Sequence, residues 1–296
     1  MNMNIAGYTL DLLVVGFPGK SVCHGGLGWS TVALLQGHGR VVLIDTGPIG
    51  MRSLIRDRLK QHGLVAADIT DVLLTHSHHD HSINWTMFPN ARIHIGAHEL
   101  EWSLEQPWGE TPVPELYVRE LSTMPRTVRI AQGSEILPRL TAFEAPGHTP
   151  GHLVFVLQGD EHDVIFTGDA AKTRAELVSE KGEASLDHAL STESIREIWR
   201  RWRSRPGTMV VPGHDVPMVL RDGRASYLET HQAAVCVDGR GWRDEREGHD
   251  DLRRIGDAVV HDGLYVGPAL AFHDGVQKGH PSLASHWQTL NKLIRL

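Results

Sequence analysis

Several short apolar runs in this chain each end in a turn that carries histidine or aspartate, and that recurrence limits the fold more than any other feature. Val72–Leu74 leads into His76-Ser77-His78-His79-Asp80-His81. The run ending at Glu144 leads into Ala145-Pro146-Gly147-His148-Thr149-Pro150-Gly151-His152. Phe166-Thr167-Gly168-Asp169 and Val211-Pro212-Gly213-His214-Asp215 close two more. Open α/β sheets place their sites just past the carboxyl ends of strands. Glycine and proline there let the backbone turn sharply and hold a side chain over the sheet edge. A lone His or Asp in such a turn is ordinarily structural. The same placement at successive strand ends points to one shared site.

The first of these turns is the richest. His76 and His78, at i and i+2 on an extended segment, point to one side. Asp80 and His81 follow as the chain turns towards a helix. Nitrogen and oxygen donors at this density suit a borderline divalent ion such as zinc. Composition agrees: 20 histidines stand beside only 29 Lys plus Arg, and histidine is the commonest metal ligand. No Gly-x-Ser-x-Gly elbow is present, and Cys23 sits in a turn with no evident base, so a covalent mechanism is the weaker reading.

The 296 residues are 41% apolar and 22% charged, which excludes a disordered or fibrous chain. A net charge of −7 argues against a nucleic-acid surface. No apolar run reaches a membrane span, and Leu10–Val15 is too short for a signal segment. Two cysteines, Cys23 and Cys236, cannot make a disulfide framework. A cytoplasmic protein is the expectation.

Leu10–Val15, Thr31–Leu35, Val41–Asp45, Val72–Leu74 and Arg92–Gly96 read as strands in the first half, with a helix over Met51, Leu54, Ile55 and Leu59. A short helix through Trp102 follows. Residues 103–126 show no clear period and carry Pro107, Pro112, Pro114 and Pro125; they are either a lid or an ordered excursion. Strands resume at Leu140–Glu144, Leu153–Leu157, Val164–Phe166 and Thr208–Val211. A helix capped by Ser191 presents Ile195, Ile198, Trp199 and Trp202 on one face. Beyond Val219 the character changes. Asp238–Arg254 reads as a solvated charged stretch, and Ser282–Ile294 as a closing helix with a stripe of Leu283, Trp287, Leu290 and Leu293. Two separate groups of strands alternating with helices indicate a layered α/β architecture.

The order His-x-His-x-Asp-His, Pro-Gly-His, Gly-Asp, Gly-His resembles the metallo-β-lactamase superfamily over roughly residues 8–220. The resemblance implies an α/β, four-layer αβ/βα sandwich with a C-terminal extension. Its catalytic domain would span 1–220, and 221–296 would pack on the same domain, cover the site or form a homodimer interface. It implies two divalent metal ions, zinc first, with manganese, iron or cobalt as alternatives. His76, His78 and His148 would hold one ion; Asp80, His81 and His214 the other; Asp169 would bridge both. Asp45, in Leu43-Ile44-Asp45-Thr46-Gly47, would stand behind a liganding histidine and orient it. His79 and His152 lie beside ligands without being ligands in the family pattern.

His78 stands where the family's diiron oxygen reductases carry an acid, which argues for hydrolysis over redox chemistry. Asp169 stands where true β-lactamases carry cysteine. Glyoxalase II and the acyl-homoserine lactonases share the aspartate, and the stretch from Gly168 to Asp215 is more similar to the lactonases. There the lactonases have a tyrosine where this chain has Lys172. A lysine can donate to an oxyanion or bind a carboxylate but cannot copy a phenol; the alternative is a surface side chain. The expected activity is attack of a metal-bridging hydroxide, oriented by Asp80, on the carbonyl of a small lactone or cyclic ester. Thioester or cyclic amide hydrolysis, and a metal-binding module without turnover, are the alternatives. The expected partner is a small carbonyl substrate, with neither nucleic acid nor membrane.

Overall fold

The computed structural model describes residues 2–21, 25–131 and 135–228. Cys23, Cys236, the Asp238–Arg254 stretch and the Ser282–Ile294 helix expected from the sequence lie outside the described residues. The chain divides into two compact units. The larger, Met1–Gly19 with Gly28–Glu229, holds two seven-stranded sheets. Of the smaller, the described residues include a short ribbon, Lys20–Ser21 antiparallel to Gly25–Gly26.

The first sheet runs in the order Asn2–Ile5, Tyr8–Val14, Val32–Gly37, Arg40–Ile44, Asp71–Leu73, Arg92–Gly96, Thr127–Ile130. Its first four strands are antiparallel and the rest parallel. The second runs Glu135–Leu137, Leu140–Glu144, Leu153–Leu157, Val164–Gly168, Met209–Pro212, Met218–Arg221, Arg224–Tyr227. Only Val164–Gly168 and Met209–Pro212 pair in parallel.

Both faces of each sheet are covered, so the central strands are apolar throughout rather than alternating. In Val32–Gly37, Ala33 and Leu35 turn into the core between the sheets. Val32 and Leu34 turn outward, onto the cluster that holds Ile55 and Leu59 of the helix Arg52–Gln61, Leu100 of Ala97–Leu104, and Val118 and Leu121 of Glu115–Thr123. The outer face of the second sheet is covered by the helix His188–Ser204 through Ile195, Ile198, Trp199 and Trp202. Burying each of these large side chains is worth about 1.5–3 kcal/mol, and each indole N–H still finds a carbonyl: Trp199 donates to Leu177 and Trp202 to Thr208. The layers are therefore helix, sheet, sheet, helix, as the motif order implies.

One local expectation changes, and two regions left open by the sequence are filled in. The helix of the second half is capped by Asp187, whose carboxylate accepts from Ala189 N and Leu190 N, while Ser191 is buried inside it. Residues 103–126 contain the helix Glu115–Thr123. Its flanking prolines do not break it, because Pro114 lies at the N-cap and Pro125 lies past the end. Two strands follow the one at Met209–Pro212, joined by Asp222-Gly223 with both residues at positive φ, the conformation of a tight hairpin. Among the described residues no helix is long and apolar enough to cross a membrane.

Candidate metal centre

Strands of both sheets deliver their carboxyl ends to one edge. Asp45 follows Arg40–Ile44, and the Thr75–His81 segment follows Asp71–Leu73. His148, Asp169 and His214 follow strands of the other sheet.

Asp45 takes a left-handed backbone (φ 57°), which costs a non-glycine residue about 1 kcal/mol or more. The conformation aims its carboxylate at the neighbouring turn. Oδ1 accepts from Thr75 N at 2.8 Å, and Oδ2 accepts from Thr75 Oγ1 at 2.8 Å and meets His81 Nδ1 at 2.8 Å. These contacts place two protons. A carboxylate only accepts, so His81 Nδ1 donates to Asp45, and its Nε2 faces the opposite side of the site. Thr75 Oγ1 has given its proton to Asp45, so the 3.1 Å contact with His76 makes His76 Nδ1 the donor. His76 Nε2 is then a bare nitrogen, buried, with no hydrogen-bond partner. A bare buried nitrogen of this kind is what a cation requires.

The other loops close against these through missing side chains. A Cβ on Gly213 would lie 2.5 Å from Asp169 Oδ1, and one on Gly168 would lie 2.7 Å from Thr75 Cβ. Gly213 N donates to Gly168 O at 3.0 Å, joining the Asp169 and His214 turns. Asp169 N donates to His152 Nε2 at 3.0 Å. His152 therefore holds the backbone of Asp169.

The resulting donors fall into two overlapping groups. His81 Nε2 and His214 Nε2 are 3.2 Å apart, and each approaches Asp169 Oδ1, at 3.1 and 3.2 Å. Asp80 Oδ2 completes this group, 3.3 Å from His214 Nε2 and 3.7 Å from His81 Nε2. In the other, His148 Nε2 is 3.0 Å from His78 Nδ1 and 3.3 Å from Asp169 Oδ2. His76 joins both, with His78 and His148 on one side and with His81 and Asp169 on the other. Ligands bound at 2.0–2.1 Å around a tetrahedral ion stand about 3.3–3.4 Å apart. The donor spacing thus fits two divalent ions sharing Asp169, and all seven side chains expected from the sequence meet there.

The electrostatics divide the same way. Burial holds His76 and His148 well below the ordinary imidazole value and pushes His78 down to about 4. Burial also opposes charge on His81 and His214, but there the facing carboxylates, led by Asp169, outweigh it and hold both above the ordinary value. Burial would raise Asp169; His214, His81 and His148 overcome it and hold the carboxyl well below the usual range. One group presents neutral imidazoles, and the other an anionic nest that draws positive charge.

Lys172 lies three residues beyond Asp169, and its backbone carbonyl accepts from His214 N at 2.9 Å. Its Nζ donates to Glu183 O at 2.6 Å and pairs with Glu176 Oε1 at 3.2 Å. His79 is exposed, and its N–H donates to Pro112 O at 3.0 Å, so the segment after Trp108 borders the site. Glu99 was not singled out in the sequence, although its buried carboxylate contacts two of the ligand loops. It is a single acid on a short helix, with no local signal to distinguish it.

A family model described as "Metallo-beta-lactamase superfamily" matches residues 25–214. N-acyl homoserine lactonase of Bacillus thuringiensis is 26% identical over 160 residues, 53% of this chain and 60% of the lactonase. This chain thus matches less than two thirds of that relative's length. Metallo-beta-lactamase domain-containing protein 1 of Xenopus laevis is 28% identical over 206 residues, 68% of this chain and 77% of that protein. Two solved structures share the fold. One is the dizinc quorum-quenching lactonase AidC in complex with a product, with TM-score 0.62 and 16% identity over 79% of this chain and 98% of that one. The other is an N-acyl homoserine lactone hydrolase with its product at the catalytic metal centre, with TM-score 0.57 and 20% identity over 72% of this chain and 95% of that one.

Proposed function

This chain belongs to the metallo-beta-lactamase superfamily, and from that premise we propose that it is a two-metal hydrolase that opens a small lactone or cyclic ester. The observation that carries the reading is the pair of donor groups around Asp169, spaced as two ions require. The lactonase relatives support the choice of substrate. His76, His78 and His148 would hold one ion, Asp80, His81 and His214 the other, and Asp169 both. Imidazole with carboxylate suits zinc first. Two such ions supply Lewis acidity and water activated near neutral pH.

The chain's own residues do the rest. Asp80 has a side chain 21% exposed, against 7% for Asp169. It is the carboxylate that can take a proton from an incoming water and return it to the departing alkoxide. Lys172 is held by Glu176 and the Glu183 carbonyl, which use two of its three N–H donors. The third serves a substrate oxygen. Fixing the ammonium this way removes rotamer freedom before binding.

Elemental analysis of the purified protein, with lactone, thioester and cyclic amide substrates assayed before and after chelation, tests the reading. Two metals per chain and chelator-sensitive lactone opening are expected. Cleavage of thioester or amide alone would move the substrate. Activity indifferent to chelator, with less than one metal per chain, would overturn the proposal.

A further inference from the structure

The geometry points to Glu99 as a positioning residue that ties together the two loops carrying His76, His78 and His148. Its side chain is fully buried on the helix Ala97–Leu104. Each carboxylate oxygen serves a different loop. Oε1 accepts from Ser77 N at 2.9 Å and Ser77 Oγ at 2.8 Å, and Ser77 lies between His76 and His78. Oε2 accepts from Thr149 Oγ1 at 2.7 Å and Gly151 N at 3.2 Å, and Thr149 follows His148.

Four donors converge on two oxygens, and only a group that solely accepts satisfies all four. A glutamine would turn its NH2 towards one loop. The Thr149 hydroxyl can rotate to meet an NH2, but the N–H of Gly151 or Ser77 cannot. The approach is also sterically closed: a Cβ on Gly151 would lie 2.1 Å from Glu99 N, so helix and loop are packed backbone to backbone. Ser103 Oγ, 2.7 Å from Ser77 Oγ, buttresses the same side. None of these contacts falls on Asp80, His81 or His214 themselves, and of His76, His78 and His148 only His76 also joins the other group. The position held by His78 and His148 therefore depends on Glu99 more than the other does.

The inference rests on the two-ion reading, and cobalt(II) separates their fates. Metal-free wild type, Glu99→Gln and Thr149→Val are titrated with cobalt(II), with binding and the ligand-field spectrum followed. His78→Ala and His214→Ala, each lacking a ligand of one ion, supply the reference spectra. Wild type is expected to take up two ions. Glu99→Gln is expected to bind one normally and the other about 10–100-fold more weakly, with the one-ion spectrum of His78→Ala. Thr149→Val, which keeps the carboxylate and removes one donor, is expected to weaken the same ion less. Unchanged affinity for both ions in Glu99→Gln would overturn the inference and leave the two-ion reading standing. Equal weakening of both, with a lower Tm of the metal-free protein, would assign Glu99 to the fold alone and also overturn it. Wild type that binds no cobalt would overturn both.

Discussion

The two ends of the short strand Asp71–Leu73 each carry a buried aspartate–histidine pair at 2.8 Å, and the pairs do different things. At the start of the strand, Asp71 meets His94 Nε2, two nitrogens of Arg92, the Thr70 hydroxyl and, at 3.4 Å, Arg40. Burial would raise this carboxyl, but His94, Thr70 and Arg92 bring it down to about 2. Past the other end, Asp45 makes only short bonds to Thr75 and His81, and His81 Nε2 faces Asp169, Asp80 and His214. The first end is closed to any ion: its network holds neighbouring strands together, and its far nitrogen, His94 Nδ1, is buried without a hydrogen-bond partner and belongs to none of the donor groups. The second is open: its far nitrogen, His81 Nε2, faces carboxylates and imidazoles that together can bind a cation. An Asp–His pair is therefore no sign of function by itself; what the far nitrogen faces decides.

The largest effect is expected from removing ligands at the open end. His76→Ala with His78→Ala deletes two donors of one ion and should lower hydrolysis by about 10³-fold or more, since a Lewis-acid ion supplies several kcal/mol. Elemental analysis should show fewer than two metals per chain.

At the closed end, Asp71→Asn should cost about 2–4 kcal/mol of stability, towards the lower value because Arg92 and Arg40 are about 40% exposed. Metal content should not change. The folded protein holds this carboxyl near 2, below an ordinary value of about 3.9. Its contribution is complete above about pH 4 and is lost as pH falls towards 2. Urea midpoints of the metal-free wild type and variant should therefore converge over that interval. Parallel curves would remove Asp71 from the account.

Asp45→Asn opens the other pair. The amide cannot hold His81 and Thr75 as the carboxylate does, and metal affinity should fall about 10–100-fold with a smaller change in the Tm of the metal-free protein. A loss of stability as large as that of Asp71→Asn would erase the distinction between the two ends. The smallest effect is expected from Lys172→Met: KM raised or kcat lowered about 3–10-fold with metal content unchanged. Kinetics identical to wild type would return Lys172 to a purely structural pairing with Glu176.

The seven donor side chains were legible as a set because they lie in turns that follow apolar runs, so local pattern carries that information. Their division between two ions, and Asp45 behind His81, came from the resemblance to the family pattern. Glu99 and the Asp71–His94 pair were not legible. Each is an isolated polar residue in an ordinary helix or strand, and its role arises from neighbours 22 to 52 residues away. The Glu115–Thr123 helix was hidden by prolines that break helices when interior but sit harmlessly at an end. The Asp222-Gly223 hairpin carries a recognised turn pair, which went unread among the charged residues around it.

By itself, the sequence determined the layered α/β class, the order of the donor turns and which donor side chains those turns carry, because strand, turn and amphipathic helix are written over a few residues. Only the tertiary structure decided that His76 Nε2 is left bare, that His81 and His214 come within 3.2 Å across 133 residues, and that Glu99 joins two loops. Those distances follow from how two sheets pack and how glycine loops stack at one edge, and no local pattern encodes a separation through space.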